Sequence, residues 1–219
     1  MRREHRPRTR LVHAARGLAE SGLSPGRSGN ISVRHRNGML ITPSAIAYPD
    51  LREEEVVFLD FDGRHRAKKQ KPSSEWRLHA SLYRHHSAAE SVLHCHSLYA
   101  TTLACHGLAI PAFHYMVAVG GGKDIPCCEY ATFGGAELAR LADETLADRR
   151  ACLLKNHGML VYGESLDSAV ELAHEVEYLA QLYWNALQLG EPAVLGDEEM
   201  AEVVAKFKNY GTRGRVPAQ

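Results

Sequence analysis

Three histidines have the residue type and spacing of a metal site. His94 and His96 lie two residues apart in SVLHCHSLY, and His157 follows in CLLKNHGML. The neighbours of the pair are apolar or small, which predicts a buried strand whose alternate side chains share a face. Two imidazoles on that face, about 6.6 Å apart at their backbones, can converge on one ion if a third ligand arrives from elsewhere. His157 is the natural third ligand, because it follows an apolar run and precedes Gly158, where the backbone can turn.

Three neutral imidazoles would leave one coordination position of a zinc ion open. Three protein ligands with one open position are typical of catalytic zinc sites, whereas structural sites use four protein ligands. The spacing therefore predicts Zn2+ bound by His94, His96 and His157, with one ion per subunit. Nitrogen ligands also accept cobalt and nickel. Ordinary core histidines are the alternative interpretation, which a single histidine would favour.

Glu75 is the carboxylate that could act beside such an ion. It occurs in PSSEWRLH and is expected in the first turn of a helix, where the helix dipole stabilises negative charge without any catalytic role. Next to a metal, the same carboxylate could act as a general base or as a displaceable fourth ligand. His79 lies four residues later on the same helix face and is interpreted as a supporting or packing residue. We place His106, His174 and Glu177 outside the metal site.

Three segments combine small hydroxyl residues with asparagine, proline or glycine where strands end or helices begin. They are SGNIS at 28–32, TPSAI at 42–46 and PSSE at 72–75. Backbone N–H groups in glycine turns and at helix N-termini bind anions. Together the segments could bind a phosphate without a lysine, although each one alone is typical of a turn or a helix cap.

The composition narrows the partners and the compartment. The 26 basic and 26 acidic side chains among 219 residues give no net charge, which argues against nucleic acid or anionic membrane as a partner. The basic N-terminus is not followed by an apolar stretch long enough for a signal peptide or a membrane span. The five cysteines form no CxxC motif, which argues against a disulfide framework. These features predict a soluble cytoplasmic protein.

Strands and helices alternate along the chain. Hydrophobic periodicity predicts helices near 6–21, 75–86 (with a serine cap), 97–105, 134–149 and 164–189 and in DEEMAEVVAKFKNYG. Strands are predicted in NISVR, GMLIT, VVFLDFDG, SVLHC, PAFHYMVAV and CLLKNHGMLVYG. Several strands are joined too briefly for parallel crossovers. We therefore expect an α/β protein, a three-layer α-β-α sandwich with a mostly antiparallel central sheet, in a single domain at 1–219.

The order of the motifs resembles that of the class II aldolase/adducin family. SGNIS, ITPSAI, PSSEWRLH, VLHCHS, IPAFHYM, YATFG, NHGMLV and KFKNYG follow one another over residues 6–213 without large gaps. They are most similar to the motifs of bacterial members that cleave L-fuculose 1-phosphate. The resemblance implies a metal-dependent lyase that reversibly cleaves a ketose 1-phosphate into dihydroxyacetone phosphate and a short aldehyde such as lactaldehyde. It also implies a homotetramer with active sites at subunit interfaces.

Carried over to this chain, the resemblance also implies roles for individual residues. The three histidines would bind zinc and Glu75 would be the catalytic acid/base. Tyr115 would serve the aldehyde end of a neighbouring subunit's site, and Tyr210 would help to close the site. The phosphate would be held by the side chains of Asn30, Ser44, Ser73 and Ser74 and by the backbone of Gly29 and Ala45.

Two positions depart from the family pattern. Arg27 stands where the aldolases usually have a small hydroxyl residue, and Ala45 replaces a glycine of the phosphate loop. The arginine could add a charge-assisted phosphate contact. Ala45 could narrow the loop if its backbone requires a positive φ.

The family contains three alternatives to an aldolase. Sugar-phosphate 4-epimerases have Asp where this chain has Glu75 and an acidic residue where it has Met116, which favours an aldolase here. A dehydratase acting on methylthioribulose 1-phosphate is the second alternative. The third is a non-catalytic adducin-like interaction module, against which the three histidines and Glu75 argue.

Overall fold

The computed structural model describes residues 2–66 and 69–209 of the chain. Helices in these ranges are α1 (Arg2–Glu20), α2 (Trp76–His85), α3 (Leu98–Cys105), α4 (Ala136–Thr145), α5 (Leu166–Leu187) and α6 (Asp197–Asn209). Strands are β1 (Asn30–His35), β2 (Gly38–Ile41), β3 (Val57–Asp60), β4 (Ser91–Cys95), β5 (Cys127–Cys128), β6 (Ala151–Leu154) and β7 (Gly158–Gly163). Short 3-10 helices cover Tyr48–Asp50, Glu53–Glu55 and Tyr115–Gly120. In the part of the chain described, no helix is both long and apolar enough to cross a membrane.

The strands form one seven-stranded sheet in the order β3-β2-β1-β4-β7-β6-β5. Neighbouring strands are antiparallel except for β5 and β6, which are parallel. The predicted α/β fold with a mostly antiparallel sheet is therefore confirmed, and the parallel pair makes the sheet mixed. That residues 1–219 form a single domain stays a prediction.

Two apolar layers cover the sheet, one on each face. Residues of α1, α3 and α5 pack on one face, and residues of α2 and α4 pack on the other. Strand β4 lies in the middle of the sheet and is buried along its whole length, with Leu93 and Cys95 in the first layer and Val92 in the second. The alternation of side chains along β4 places His94 on the same face as Val92, towards α2.

The start of α2 differs from the sequence prediction. The residue before the helix is Glu75, not a serine, and its side chain makes no capping hydrogen bond. The backbone N–H of Glu75 instead donates to Ser73 Oγ over 3.2 Å. This arrangement leaves the carboxylate of Glu75 free to turn into the protein rather than back onto the helix.

The segment PAFHYMVAV was predicted to be extended, and this prediction is wrong. Its second half is the 3-10 helix Tyr115–Gly120. The backbone N–H of Met116 donates to the side chain of His114, and that of Val117 donates to the carbonyl of His114. Because these local bonds satisfy the backbone, the segment does not need a partner strand.

The turn between β6 and β7 also differs in detail from the prediction. The residue in the left-handed conformation is Asn156, with φ 56°, rather than Gly158. A Cβ on Gly158 would collide with the carbonyl oxygen of Cys95 and lie 2.9 Å from His96 Cδ2. Gly158 is thus required for the close approach of β7 to the end of β4, which brings His157 next to His96.

Ala45 has a φ of 66°, so its backbone does adopt the conformation that favours glycine. Replacing Ala45 by glycine should raise the free energy of unfolding by about 0.5–1 kcal/mol, because glycine adopts a positive φ without a Cβ penalty. Urea unfolding followed by circular dichroism, at one protein concentration, measures the change.

Ala47 is the matched control for this substitution, since it lies in the same loop with an ordinary φ of −67°. Ala47→Gly should lower the free energy of unfolding by about 0.5–1 kcal/mol through the added freedom of the unfolded chain. An equal loss of stability in both variants would show that Ala45 is not strained.

Candidate metal centre and active site

The fold brings the three predicted metal ligands together at the end of β4. His94 is the fourth residue of β4, His96 directly follows the strand, and His157 belongs to the turn between β6 and β7. One ligand nitrogen from each ring lies within 4.8 Å of the others. His94 Nε2 and His96 Nε2 are 3.0 Å apart, and the His157 ring centroid lies 4.6 Å from that of His94.

This donor set fits a divalent cation such as zinc. Two imidazole lone pairs at 3.0 Å repel each other unless a proton or a cation lies between them. A four-coordinate zinc ion with bonds of about 2.0–2.1 Å spaces its nitrogen ligands about 3.3 Å apart, close to the observed distance. His94 Nδ1 lies 2.8 Å from the carbonyl oxygen of Met159, to which it can only donate, so Nε2 is the nitrogen available to a metal.

His96 and His157 are in the neutral form that binds metals. Burial, together with the nearby charge of His94 and of His157, lowers the pKa of His96 to about 4. Burial and the charge of His94 likewise lower the pKa of His157 to about 4. At neutral pH both rings therefore retain a lone pair for a cation.

Glu75 lies against this cluster with its carboxylate almost fully buried. Its Oε2 atom is 3.2 Å from His94 Nε2 and accepts a hydrogen bond of 3.1 Å from Asn30 Nδ2. Its Oε1 atom is 3.4 Å from His157 Nε2 and has no hydrogen-bond donor among the described residues. Burial opposes ionisation of Glu75, but the charge of a protonated His94 and the hydrogen bonds from His94 and Asn30 outweigh burial and hold the pKa of Glu75 below its usual range. The carboxylate can therefore act as a base or reach a metal ion at this position.

Glu177 supports the metal centre although the sequence analysis placed it outside. Its carboxylate accepts hydrogen bonds from Ser97 Oγ (2.6 Å) and from the backbone N–H groups of Tyr99 (2.8 Å) and Ala100 (2.9 Å). It thus caps the start of α3 and fixes the segment that follows His96. The sequence offered one indication that Glu177 faces the interior. It lies on α5 four residues after Ala173 and three before Ala180, and both alanines are buried.

A cavity of about 410 Å³ opens beside the histidines and Glu75. All six residues that were predicted to hold a phosphate line this cavity together with Glu75, His96 and His157. The Ser44 hydroxyl donates to the carbonyl of Pro72 over 2.8 Å, which joins the loop before α2 to the loop after β2. The structure thus brings the predicted residues to one place, and their role in phosphate binding stays a prediction.

The cavity has further lining residues that the sequence analysis did not single out. The aromatic rings of Tyr130 and Phe133 line it and are 57% and 65% exposed. Ser28, Pro43, Ala131 and Asn156 also line it. The YATFG segment was noticed only as a family motif, so two exposed aromatic residues in one loop were the available signal. Arg27 is the only lysine or arginine among the described lining residues.

Of the two predicted tyrosines, Tyr115 does not line this cavity. Tyr115 lies in the 3-10 helix Tyr115–Gly120 and is 50% exposed, away from the cavity of its own chain. Tyr210 lies outside the described residues. Their roles stay predictions.

Comparison with known proteins identifies the family. Residues 9–184 match the model of the Class II Aldolase and Adducin N-terminal domain. The chain belongs to this family, and its enzyme class is that of the class II aldolases, which are metal-dependent carbon–carbon lyases.

Individual relatives are similar over nearly the whole chain. A 5-methylthioribulose-1-phosphate/5-deoxyribulose-1-phosphate aldolase of Rhodospirillum rubrum is 48% identical over 95% of this chain and 94% of the relative. An L-fuculose phosphate aldolase of Escherichia coli is 45% identical over 93% of this chain and 94% of the relative. A solved structure of an L-fuculose 1-phosphate aldolase superimposes with a TM-score of 0.88 at 41% identity, covering 92% of this chain and 95% of that chain.

The purified protein should contain about one divalent ion per chain. The substitution His157→Ala should weaken metal binding by more than about 100-fold, because one of the three nitrogen ligands is lost. Elemental analysis after dialysis, and titration with a coloured zinc chelator, measure both quantities. His106→Ala is the matched control, since His106 is exposed and lies outside the cluster. Equal metal content in the His157→Ala and His106→Ala variants would contradict the proposed ligand set.

Proposed function

We propose that this chain is a zinc-dependent aldolase that reversibly cleaves a ketose 1-phosphate into dihydroxyacetone phosphate and a short aldehyde. The observation that carries the proposal is the single cavity that contains Glu75, His96, His157 and all six candidate phosphate residues. A phosphate at the Ser73 and Ser74 end would place the carbons of the substrate next to Glu75 and the histidines. No lysine lines the cavity among the described residues, so Schiff-base chemistry has no candidate nucleophile there.

Cleavage of the carbon–carbon bond leaves negative charge on the three-carbon fragment. The bound cation would supply the positive charge that stabilises it. Glu75 moves the proton: it returns a proton to the nucleophilic carbon in cleavage and removes it in synthesis. Its Oε1 atom is the base, since Oε2 already accepts a hydrogen bond from Asn30 and Oε1 accepts none.

The phosphate end of the site is built from backbone and small side chains. Gly29 and Ala45 have positive φ values of 85° and 66°, which turn the two loops at this end of the cavity. Ser73 and Ser74 lie three and two residues before the first residue of α2, so phosphate there would interact with the positive end of the helix dipole. Arg27, whose side chain has no hydrogen-bond or ion-pair partner among the described residues, adds a positive charge at the rim.

The aldehyde end determines which ketose is cleaved. L-Fuculose 1-phosphate is the first candidate substrate, in line with the activity named for the Escherichia coli relative. The name of the Rhodospirillum rubrum relative adds 5-deoxyribulose 1-phosphate and 5-methylthioribulose 1-phosphate, which share the same phosphate-bearing end. The exposed rings of Tyr130 and Phe133 offer apolar contact to a methyl or thioether group at the other end.

We also propose that the active enzyme is a homotetramer in which Tyr115 serves a neighbouring subunit. The half-exposed position of Tyr115 outside its own cavity supports this arrangement. Leu98 and Tyr178 are 69% and 59% exposed apolar residues, which a subunit interface would cover. In this assembly Tyr115 would donate a proton to the aldehyde oxygen in synthesis and accept that proton from the hydroxyl in cleavage. Tyr210 would help to close the site.

A panel of ketose 1-phosphates tests the function directly. The metal-loaded protein should release dihydroxyacetone phosphate from at least one of the three candidate substrates, as measured with a coupled glycerol-phosphate dehydrogenase assay. Loss of water from 5-methylthioribulose 1-phosphate without aldehyde release would assign a dehydratase instead. Inversion at C4 of a pentulose phosphate would assign an epimerase, and absence of both turnover and bound metal would assign an interaction module.

Glu75→Gln should retain the metal and lose most turnover, with kcat lowered by about 100-fold or more, because the amide cannot accept the proton. Glu55→Gln is a matched control, since Glu55 is also a buried glutamate but pairs with Arg52 away from the cavity. Elemental analysis and the coupled assay measure both variants. Full activity of Glu75→Gln would exclude Glu75 as the base.

A further inference from the structure

A chain of buried polar side chains lies directly behind Glu75. Tyr83 Oη is 2.7 Å from Ser32 Oγ, which is 2.7 Å from His79 Nδ1. His79 Nε2 is 2.5 Å from Asn30 Oδ1, and Asn30 Nδ2 is 3.1 Å from Glu75 Oε2. Each of these residues is at least 94% buried, in a region otherwise packed with apolar residues such as Leu78, Leu82 and Val92.

The hydrogen bonds in this chain can be oriented in only one way. The ionised carboxylate of Glu75 can only accept, so Asn30 must turn its amide nitrogen towards Glu75 and its oxygen towards His79. The oxygen of Asn30 can also only accept, so His79 must carry its proton on Nε2. Burial, with the nearby charge of His94, lowers the pKa of His79 to about 3, so Nδ1 is unprotonated. Ser32 therefore donates to Nδ1, and Tyr83 donates to Ser32.

We propose that His79, held by Ser32 and Tyr83, is a positioning residue that fixes the amide orientation of Asn30 and, through it, the carboxylate of Glu75. The proposal rests on the proposed role of Glu75 as the catalytic base. It also assigns to Asn30 a second role beside phosphate binding, because the amide group of Asn30 is already shared between His79 and Glu75.

The amide of Asn30 is the element that His79 controls. Without the Nε2 donor, the oxygen of Asn30 would lose its described hydrogen bond, and the amide would be held only by its own bond to Glu75. The amide and the carboxylate could then rotate together, and Oε1 would leave its position 3.4 Å from His157 Nε2. Ser32 and Tyr83 act through His79. Tyr83 donates to Ser32, and Ser32 donates to Nδ1 of His79, which keeps the proton of that ring on Nε2.

The side-chain network is tested by kinetics on matched variants of the metal-loaded enzyme. Ser32→Ala and His79→Leu should lower kcat by about tenfold with KM changed by less than about twofold, because the transition state loses an oriented base while phosphate binding is retained. His79→Gln should recover most of the lost kcat, since its amide N–H can replace Nε2–H. Metal content should be the same in all variants.

Ser91→Ala is the matched control for these variants. Ser91 is a fully buried serine on the adjacent strand, and its hydroxyl donates to the backbone carbonyl of Ser32, outside the side-chain network. Its loss should leave kcat within about twofold of the parent, as expected for a merely structural hydrogen bond. Equal kcat values for Ser32→Ala and Ser91→Ala, or equal kcat values for His79→Gln and His79→Leu, would overturn the proposal. If His79→Leu does not fold, Tyr83→Phe replaces it, with the same expected fall in kcat.

The tautomer of His79 provides a readout that does not depend on activity. In the unmodified protein labelled with 15N-histidine, long-range 1H–15N correlation spectra should show His79 neutral and protonated on Nε2, with or without metal. Protonation on Nδ1 would overturn the proposed network whatever the kinetics show. Conversely, the protein could show this tautomer and yet cleave no ketose 1-phosphate. That result would support the hydrogen-bond network and contradict the proposed aldolase function.

Discussion

The structure depends on keeping one ionised carboxylate buried beside three imidazoles. An isolated carboxylate in a protein interior costs several kcal/mol and would normally be neutralised by a shift of its pKa. Glu75 is almost fully buried, and its pKa is nevertheless held low by His94, His157 and Asn30. A metal ion on the three histidines would add a larger positive charge at the same place. The site is therefore a buried anionic group beside which the fold has brought together three possible ligands of a cation.

The central position of β4 makes this arrangement rigid. In the pairing with β1, His94 lies opposite Asn30, and in the pairing with β7 it lies opposite Leu160. A shift of either register by one residue would move His94 to the other face of the sheet, away from α2. Gly158 then allows β7 to approach closely enough for His157 to meet His96, and Glu177 holds the segment after His96 through α3. The predicted metal ligands and the proposed base are thus held by sheet pairing and helix caps rather than by loops alone.

Local sequence patterns predicted the parts of the site that depend on local geometry. The spacing of His94 and His96 on a strand implied a shared face, and PSSE implied a carboxylate at a helix start. The serine cap of α2 and the extended PAFHYMVAV segment were wrong, because in both cases a nearby hydrogen bond competed with the pattern. The turn at Gly158 was wrong because Asn156 adopts the left-handed conformation instead. The hydrogen-bond partners of Glu177 and of the network around His79 could not be predicted, since the bonded residues are 45 to 80 positions apart in sequence.

The same organisation separates the chemistry from the choice of substrate. The groups that move protons and hold charge are buried and fixed by one another, so a change in any of them disturbs its neighbours. The groups at the cavity mouth, Arg27, Tyr130 and Phe133, are exposed, and Arg27 has no partner among the described residues. Substitutions at the mouth can therefore change which aldehyde fits without disturbing the buried base. Relatives of 48% and 45% identity that are named for different ketose phosphates are consistent with such a division.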